Sequence, residues 1–186
     1  MTLPPHAVTR RRLLAALAAA ALAPAVRAQD WPSHTPFFAT PERVVERMLA
    51  MAKVGPGDVV YDIGSGDGRI VIAAARLGAR AVGIDIEYGW ERIAKRNAAA
   101  AGVSELATFR TADAFKADLT PATVITLYLP ADITTAIAPK LRKEPRPGTR
   151  IVSHEYLLGD WKPERTETLI GDNGRPYPVH LWIAGR

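Results

Sequence analysis

The chain has 186 residues, with 48% hydrophobic and 23% charged content, which suits one globular domain able to bury a sizeable core. It holds no cysteine, which excludes disulfide frameworks, thiolate metal sites and a cysteine nucleophile. The formal charge of +5 is set by the N-terminus: residues 1–28 carry Arg10, Arg11, Arg12 and Arg27 and no acid, leaving about +1 for the rest, which offers no basic footprint for nucleic acid.

Thr9-Arg10-Arg11-Arg12-Leu13-Leu14 opens an Ala/Leu run that ends at Val26-Arg27-Ala28. A positive start, a short apolar stretch and a small residue at a cleavage point form an export signal over residues 1–28. Adjacent arginines followed by leucines match the twin-arginine variety. The run from Leu13 to Val26 falls short of the roughly 20 residues a spanning helix needs, so no stable membrane span is expected in the mature form. The expected location is periplasmic, with an uncleaved anchor or a cytoplasmic chain as the alternatives.

Residues 29–40 are rich in proline and aromatics and read as an irregular lead-in to a domain over 41–186. Val44, Val45, Met48, Leu49 and Ala52 share one helical face, so Pro41–Val54 is expected to be helical, with Thr40 as its N-cap. Gly55-Pro56-Gly57 ends it. Asp58–Ile63 is a short apolar run of the buried-strand kind. The alternation continues: helix at Arg69–Leu77, strand at Ala79–Ile86, helix at Gly89–Ala101, and strands at Leu106–Thr111 and Ala122–Leu129. Ala131–Lys143 is a helix with Ile133, Ile137 and Leu141 in one stripe, and Thr149–His154 is a fifth strand. Glu167–Ile170 and Val179–Ala184 flank a turn at Asp172-Asn173-Gly174. Such alternation predicts an α/β, doubly wound, mostly parallel seven-strand Rossmann-like sheet with an antiparallel strand near the C-terminus.

The most informative stretch is Val59–Ile70, V-V-Y-D-I-G-S-G-D-G-R-I. A buried strand runs into Gly64, Gly66 and Gly68 and then a helix, the place where such sheets bind ligands. A dinucleotide loop follows G-x-G-x-x-G, but its third glycine would fall at Arg69. Here the pattern is G-x-G-x-G with Asp62 two residues ahead. A carboxylate at that point suits a ligand amino group and disfavours a pyrophosphate. S-adenosylmethionine (SAM) carries an ammonium and a sulfonium and no phosphate. Asp85 ends the second strand, where an acid can accept from ribose hydroxyls, with Glu87 as the neighbouring alternative. Asp113, after the third strand, could accept from an adenine amino group, or could be a helix N-cap or a solvated strand-end charge.

These residues resemble the class I, seven-strand SAM-dependent methyltransferases over nearly all of residues 35–186. The chain is most similar to the small lysine methyltransferases that include the enzymes modifying the ATP synthase c subunit and the adenine nucleotide translocase. The carrying segments are T-P-E-R-V-V-E-R-M-L at 40–49, Y-D-I-G-S-G-D-G-R-I at 61–70, V-G-I-D-I-E at 82–87, T-L-Y-L-P at 126–130 and G-T-R-I-V-S-H at 148–154. The resemblance implies that Asp62, Gly64, Ser65, Gly66 and Gly68 hold the methionine part of SAM, Asp85 the ribose and Asp113 the adenine. It also implies that Thr40 and Phe38 close over the cofactor.

Tyr128, at the end of the fourth strand, is the first candidate for touching the methyl acceptor, with a core aromatic as the alternative. His154 and Glu155, just past the fifth strand, follow, and Trp161 either lines the pocket or covers the sheet. His6, His34, His154 and His180 show no ligand spacing, so no metal is expected. The expected activity is SAM-dependent methyl transfer to a protein lysine. A small-molecule methyltransferase and an exported SAM-binding module without turnover are the alternatives. Export sits uneasily with a cofactor made in the cytoplasm, unless the protein leaves folded and loaded.

Overall fold

The computed structural model describes residues 38–186. The expected signal peptide over 1–28 and most of the lead-in lie outside them. Strands and helices alternate as the apolar pattern requires: α1 (Glu42–Met51), β1 (Val59–Ile63), α2 (Arg69–Arg76), β2 (Arg80–Asp85), α3 (Trp90–Ala100), β3 (Ala107–Thr111), β4 (Val124–Leu127), α4 (Ala131–Lys143), β5 (Arg150–His154), β6 (Arg165–Ile170) and β7 (Pro176–Ile183). All seven strands join one sheet in the order β3-β2-β1-β4-β5-β7-β6. Only β7 runs against its neighbours, β5 and β6.

Side-chain alternation along each strand divides the core into two layers. On one face Val60, Val124, Val152 and Val179 pack beneath α1, α2 and α3. On the other, Ile63, Ile125, Leu127, Ile151 and Trp182 pack against Ile137 and Leu141 of α4. Each fully buried aliphatic side chain here contributes about 1.5–3 kcal/mol relative to exposure. The expected face of α1 is the buried one: Val44, Val45, Met48, Leu49 and Ala52 are all nearly inaccessible.

Three expectations need correction. Thr40 does not cap α1: Pro41 occupies that position, and its carbonyl accepts from the Val44 and Val45 amides at 2.9 and 3.0 Å. The Thr40 hydroxyl lies instead 3.3 Å from Nδ1 of buried His154, which needs a polar partner more than an accessible helix end does. The fourth strand is shorter than the apolar run from Ala122 to Leu129, because Tyr128 and Leu129 turn off the sheet toward the cavity described below. The strands of the C-terminal hairpin are longer than expected. Pro176 and Pro178, which lack an amide to donate, lie beyond the stretch of β7 that pairs with β5 and face β6 alone, where a missing amide is tolerated.

Candidate active site

β1 has β2 on one side and β4 on the other, so successive crossovers leave in opposite directions and open a crevice at the carboxyl ends of these strands. A cavity of about 280 Å³ fills it, just under the usual range for ligand pockets. Phe38, Thr40, Asp62, Gly64, Ser65, Gly66, Asp85, Asp113 and Tyr128 all line it. Nine of the residues singled out from the sequence, from five separate segments, thus meet around one space.

Asp62 is 2% exposed and accepts a hydrogen bond from the Thr126 hydroxyl at 2.7 Å, its partner in register on β4. Burial drives its carboxyl up to about 7, and the charges of Asp85 and Asp67 push in the same direction. A cation delivered into the cavity would relieve that unfavourable charge. Gly64, at φ 76°, lets the loop turn beside the cavity, where a Cβ would sit 2.5 Å from a Leu129 methyl. Asp85 braces the loop from β2: its Oδ2 accepts from the Gly66 amide at 2.8 Å and its Oδ1 from the Glu87 amide at 2.9 Å. Each carboxylate oxygen retains a lone pair for a ligand hydroxyl. Asp113 caps no helix; it closes a local turn, accepting from the Phe115 amide at 2.9 Å. Its other oxygen is buried without a hydrogen bond, 3.5 Å from the Lys116 ammonium.

Gly68 stands apart. It does not line the cavity, and a Cβ there would fall 2.7 Å from the Phe109 ring and 2.9 Å from Ala94. Its φ of 84° and this close approach make it a packing position at the start of α2.

Tyr128, just past β4, also lines the cavity. The hydroxyl donates to Glu155 Oε2 at 3.0 Å. Burial, reinforced by Glu155, pushes the phenol up to about 12, so it stays protonated at neutral pH. His154 does not line the cavity; it packs behind Tyr128 with ring centroids 4.1 Å apart. Burial holds its imidazole down to about 4, hence neutral, and its Nε2 has no hydrogen-bond partner. Glu155 also lies outside the lining and reaches the site through the Tyr128 hydroxyl. Trp161 covers the sheet: its carbonyl accepts from Trp182 Nε1 at 2.8 Å and Arg142 lies over its ring.

Sequence reasoning missed Tyr156, whose ring stacks on Tyr128 at 6.2 Å and lines the cavity. It also missed Trp90, Phe115 and Ile133 in the lining. Ile133 headed the apolar stripe of α4 and was legible there; the others follow strand ends at no fixed spacing. Among the described residues no group of side chains could hold a metal ion, and no helix is long and apolar enough to cross a membrane.

A family model described as the ANTKMT methyltransferase domain matches residues 62–165, which carry the glycine loop, Asp85, Asp113, Tyr128 and Glu155. The chain belongs to the ANTKMT methyltransferase family. It is similar to a protein-lysine N-methyltransferase of Saccharolobus islandicus, at 40% identity over 82% of this chain and 95% of that protein. It is also similar to the adenine nucleotide translocase lysine N-methyltransferase of Mus musculus, at 31% identity over 86% of this chain and 69% of the other. Among solved structures it resembles an RNA methyltransferase from Salinibacter ruber in complex with S-adenosyl-L-homocysteine (SAH). That likeness has 46% identity and a TM-score of 0.75, over 80% of this chain and 95% of that one. The chain is thus a SAM-dependent methyltransferase, and its residues fit the cofactor: a side-chain-poor bend, a buried carboxylate of raised pKa, and, among the described residues that line the cavity, no basic side chain beyond Arg69, which Asp67 engages at 2.6 Å.

Proposed function

We propose that the chain transfers the methyl group of SAM to the side-chain amine of a lysine in a protein. Asp62 would take the cofactor's ammonium, Asp85 its ribose hydroxyls and Asp113 its adenine amino group. Bound SAM supplies an electrophilic methyl carbon with a good leaving group, so the protein's task is chiefly alignment, worth ~7–11 kcal/mol when complete.

One observation carries the lysine reading: the cavity is lined by Tyr128, whose phenol proton is held by the Glu155 carboxylate, a setting that suits an amine and disfavours an oxyanion. The lining supports it, with Asp62, Asp67, Asp85, Glu87 and Asp113 against the single base Arg69. The relatives named as lysine N-methyltransferases point the same way. RNA is the second reading, favoured by the Salinibacter ruber protein. Against it stands the charge, about +1 outside residues 1–28, where phosphate binding calls for clustered Lys and Arg. Incubation with methyl-labelled SAM and a whole-cell extract tests the proposal. Label in protein that is recovered as methyl-lysine after hydrolysis is the expected result. Label confined to RNA or to small molecules would overturn it.

A further inference from the structure

We infer that Arg175 and Glu155 form a positioning pair that fixes the Tyr128 hydroxyl as a hydrogen-bond acceptor toward the cavity, so that the site takes a proton-donating methyl acceptor, such as an amine, and rejects an oxyanion. The inference rests on the methyltransferase function above and adds the hydrogen-bond polarity of the acceptor subsite.

A phenol has one proton and two lone pairs. The Tyr128 proton is committed to Glu155 Oε2 at 3.0 Å. Only lone pairs then remain for a molecule in the cavity that Tyr128 lines. An ammonium or amine, like a neutral hydroxyl, offers them a proton. A carboxylate or another oxyanion offers only repulsion, from the lone pairs and from the Glu155 charge behind them.

Arg175 supplies the counter-charge to the Glu155 carboxylate. Its Nη2 lies 3.0 Å from both carboxylate oxygens. The guanidinium is delivered by a closed turn: the Gly171 amide donates to the Arg175 carbonyl at 2.9 Å, and the Arg175 amide to Asn173 Oδ1 at 3.0 Å. It also rests over the Tyr177 ring at 5.2 Å. Glu155 itself is held in the left-handed region at φ 69°, unusual for a residue other than glycine. Its amide donates to the Pro178 carbonyl at 2.7 Å, so β7 fixes the backbone of Glu155 while the turn before β7 fixes its charge. Tyr156, stacked at an interplanar angle of 16°, holds the Tyr128 ring from another side. An ion pair this accessible contributes little to stability. The strained backbone and the converging contacts are accounted for by the hydroxyl they orient.

The test uses the full chain, labelled SAM and a whole-cell extract as the acceptor pool, with three readouts: initial rate of SAH release, calorimetric affinity for SAH, and the chemistry of the label. Glu155→Gln and Tyr128→Phe should each lower the rate about tenfold or more, the scale of a hydrogen bond to a charged group. The double variant should be no slower than the slower single variant, because Glu155 acts through the hydroxyl. Arg175→Met should follow Glu155→Gln, and Arg175→Lys should restore most of the rate. Affinity for SAH should be unchanged in all of them, and the label should resist base, as an N-methyl group does. Additive losses in the double variant, a wild-type rate for Glu155→Gln, or a base-labile methyl ester would overturn the inference while leaving the methyltransferase in place. A wild-type chain that binds SAH but labels nothing in the extract would overturn the proposed function, and the inference with it.

Discussion

Asp62 couples cofactor binding to pH. In the free protein burial raises its carboxyl to about 7, so near neutrality the group is half protonated. The ammonium of SAM or SAH favours the ionised form, and the pKa falls in the complex. Below pH 7 binding must therefore expel a proton, and affinity drops as the acid fraction grows. For one site titrating at about 7, the loss between pH 8 and pH 5.5 is about 30-fold, or ~2 kcal/mol. Above about pH 8 the ligand's own α-amino group begins to lose its charge, so affinity peaks between about 7 and 8. Isothermal titration of SAH from pH 5.5 to 8, repeated in buffers of different ionisation enthalpy, measures both the affinity and the proton released. Asp62→Asn should bind weakly throughout and lose the slope. The same carboxyl carries a stability effect of opposite sign. A folded pKa raised above the unfolded value of about 4 means that stability falls as pH rises from about 4 through 7. Asp62→Asn should accordingly melt higher than the wild type at pH 8 in the absence of ligand. A flat affinity profile in the wild type, or a profile unchanged by the substitution, would refute the assignment of Asp62 to the ammonium.

Asp85→Ala should weaken SAH binding by about tenfold or more, since it removes the ribose acceptor and releases the Gly66 amide that braces the loop; calorimetry beside a thermal melt checks that the fold survives. Gly68→Ala should lower stability by about 1–3 kcal/mol, from a positive φ and contact with Phe109 and Ala94, and it should do so with SAH absent; a denaturant melt of the free protein reads it. For the export signal proposed over residues 1–28, fractionation of cells expressing the full chain should find the protein in the periplasm, and Arg10, Arg11 and Arg12 changed together to Lys should retain it in the cytoplasm.

The fold was legible because helices such as α1 show an apolar face at helical spacing and the central strands are short apolar runs closed by glycine or proline. Ala131–Lys143 was read with its observed bounds from Ile133, Ile137, Leu141 and the prolines after it. The cofactor end of the site was legible for a related reason. Chain geometry forces Asp62, the glycine loop and Asp85 to the same sheet edge once β1 and β2 are parallel. The acceptor end was not. Tyr156 and Arg175 reach the site through a strained residue at 155 and a turn 20 residues further on, and no local spacing encodes that meeting. Thr40 was misread because its hydroxyl answers a buried imidazole from β5, a tertiary demand that outranks the local capping preference. Gly68 lies outside the cavity lining, and its close packing against Phe109 leaves the same mark in a sequence as contact with a cofactor.

The central claim is that the crevice at the ends of β1 and β2 holds SAM through two carboxylates. A crystal structure of the chain grown with SAH tests it most directly. The account predicts the ligand's amino group beside the Asp62 carboxylate, both ribose hydroxyls on Asp85 and the thioether sulfur facing Tyr128. Ligand density elsewhere, or in the crevice with the ribose away from Asp85, would contradict it.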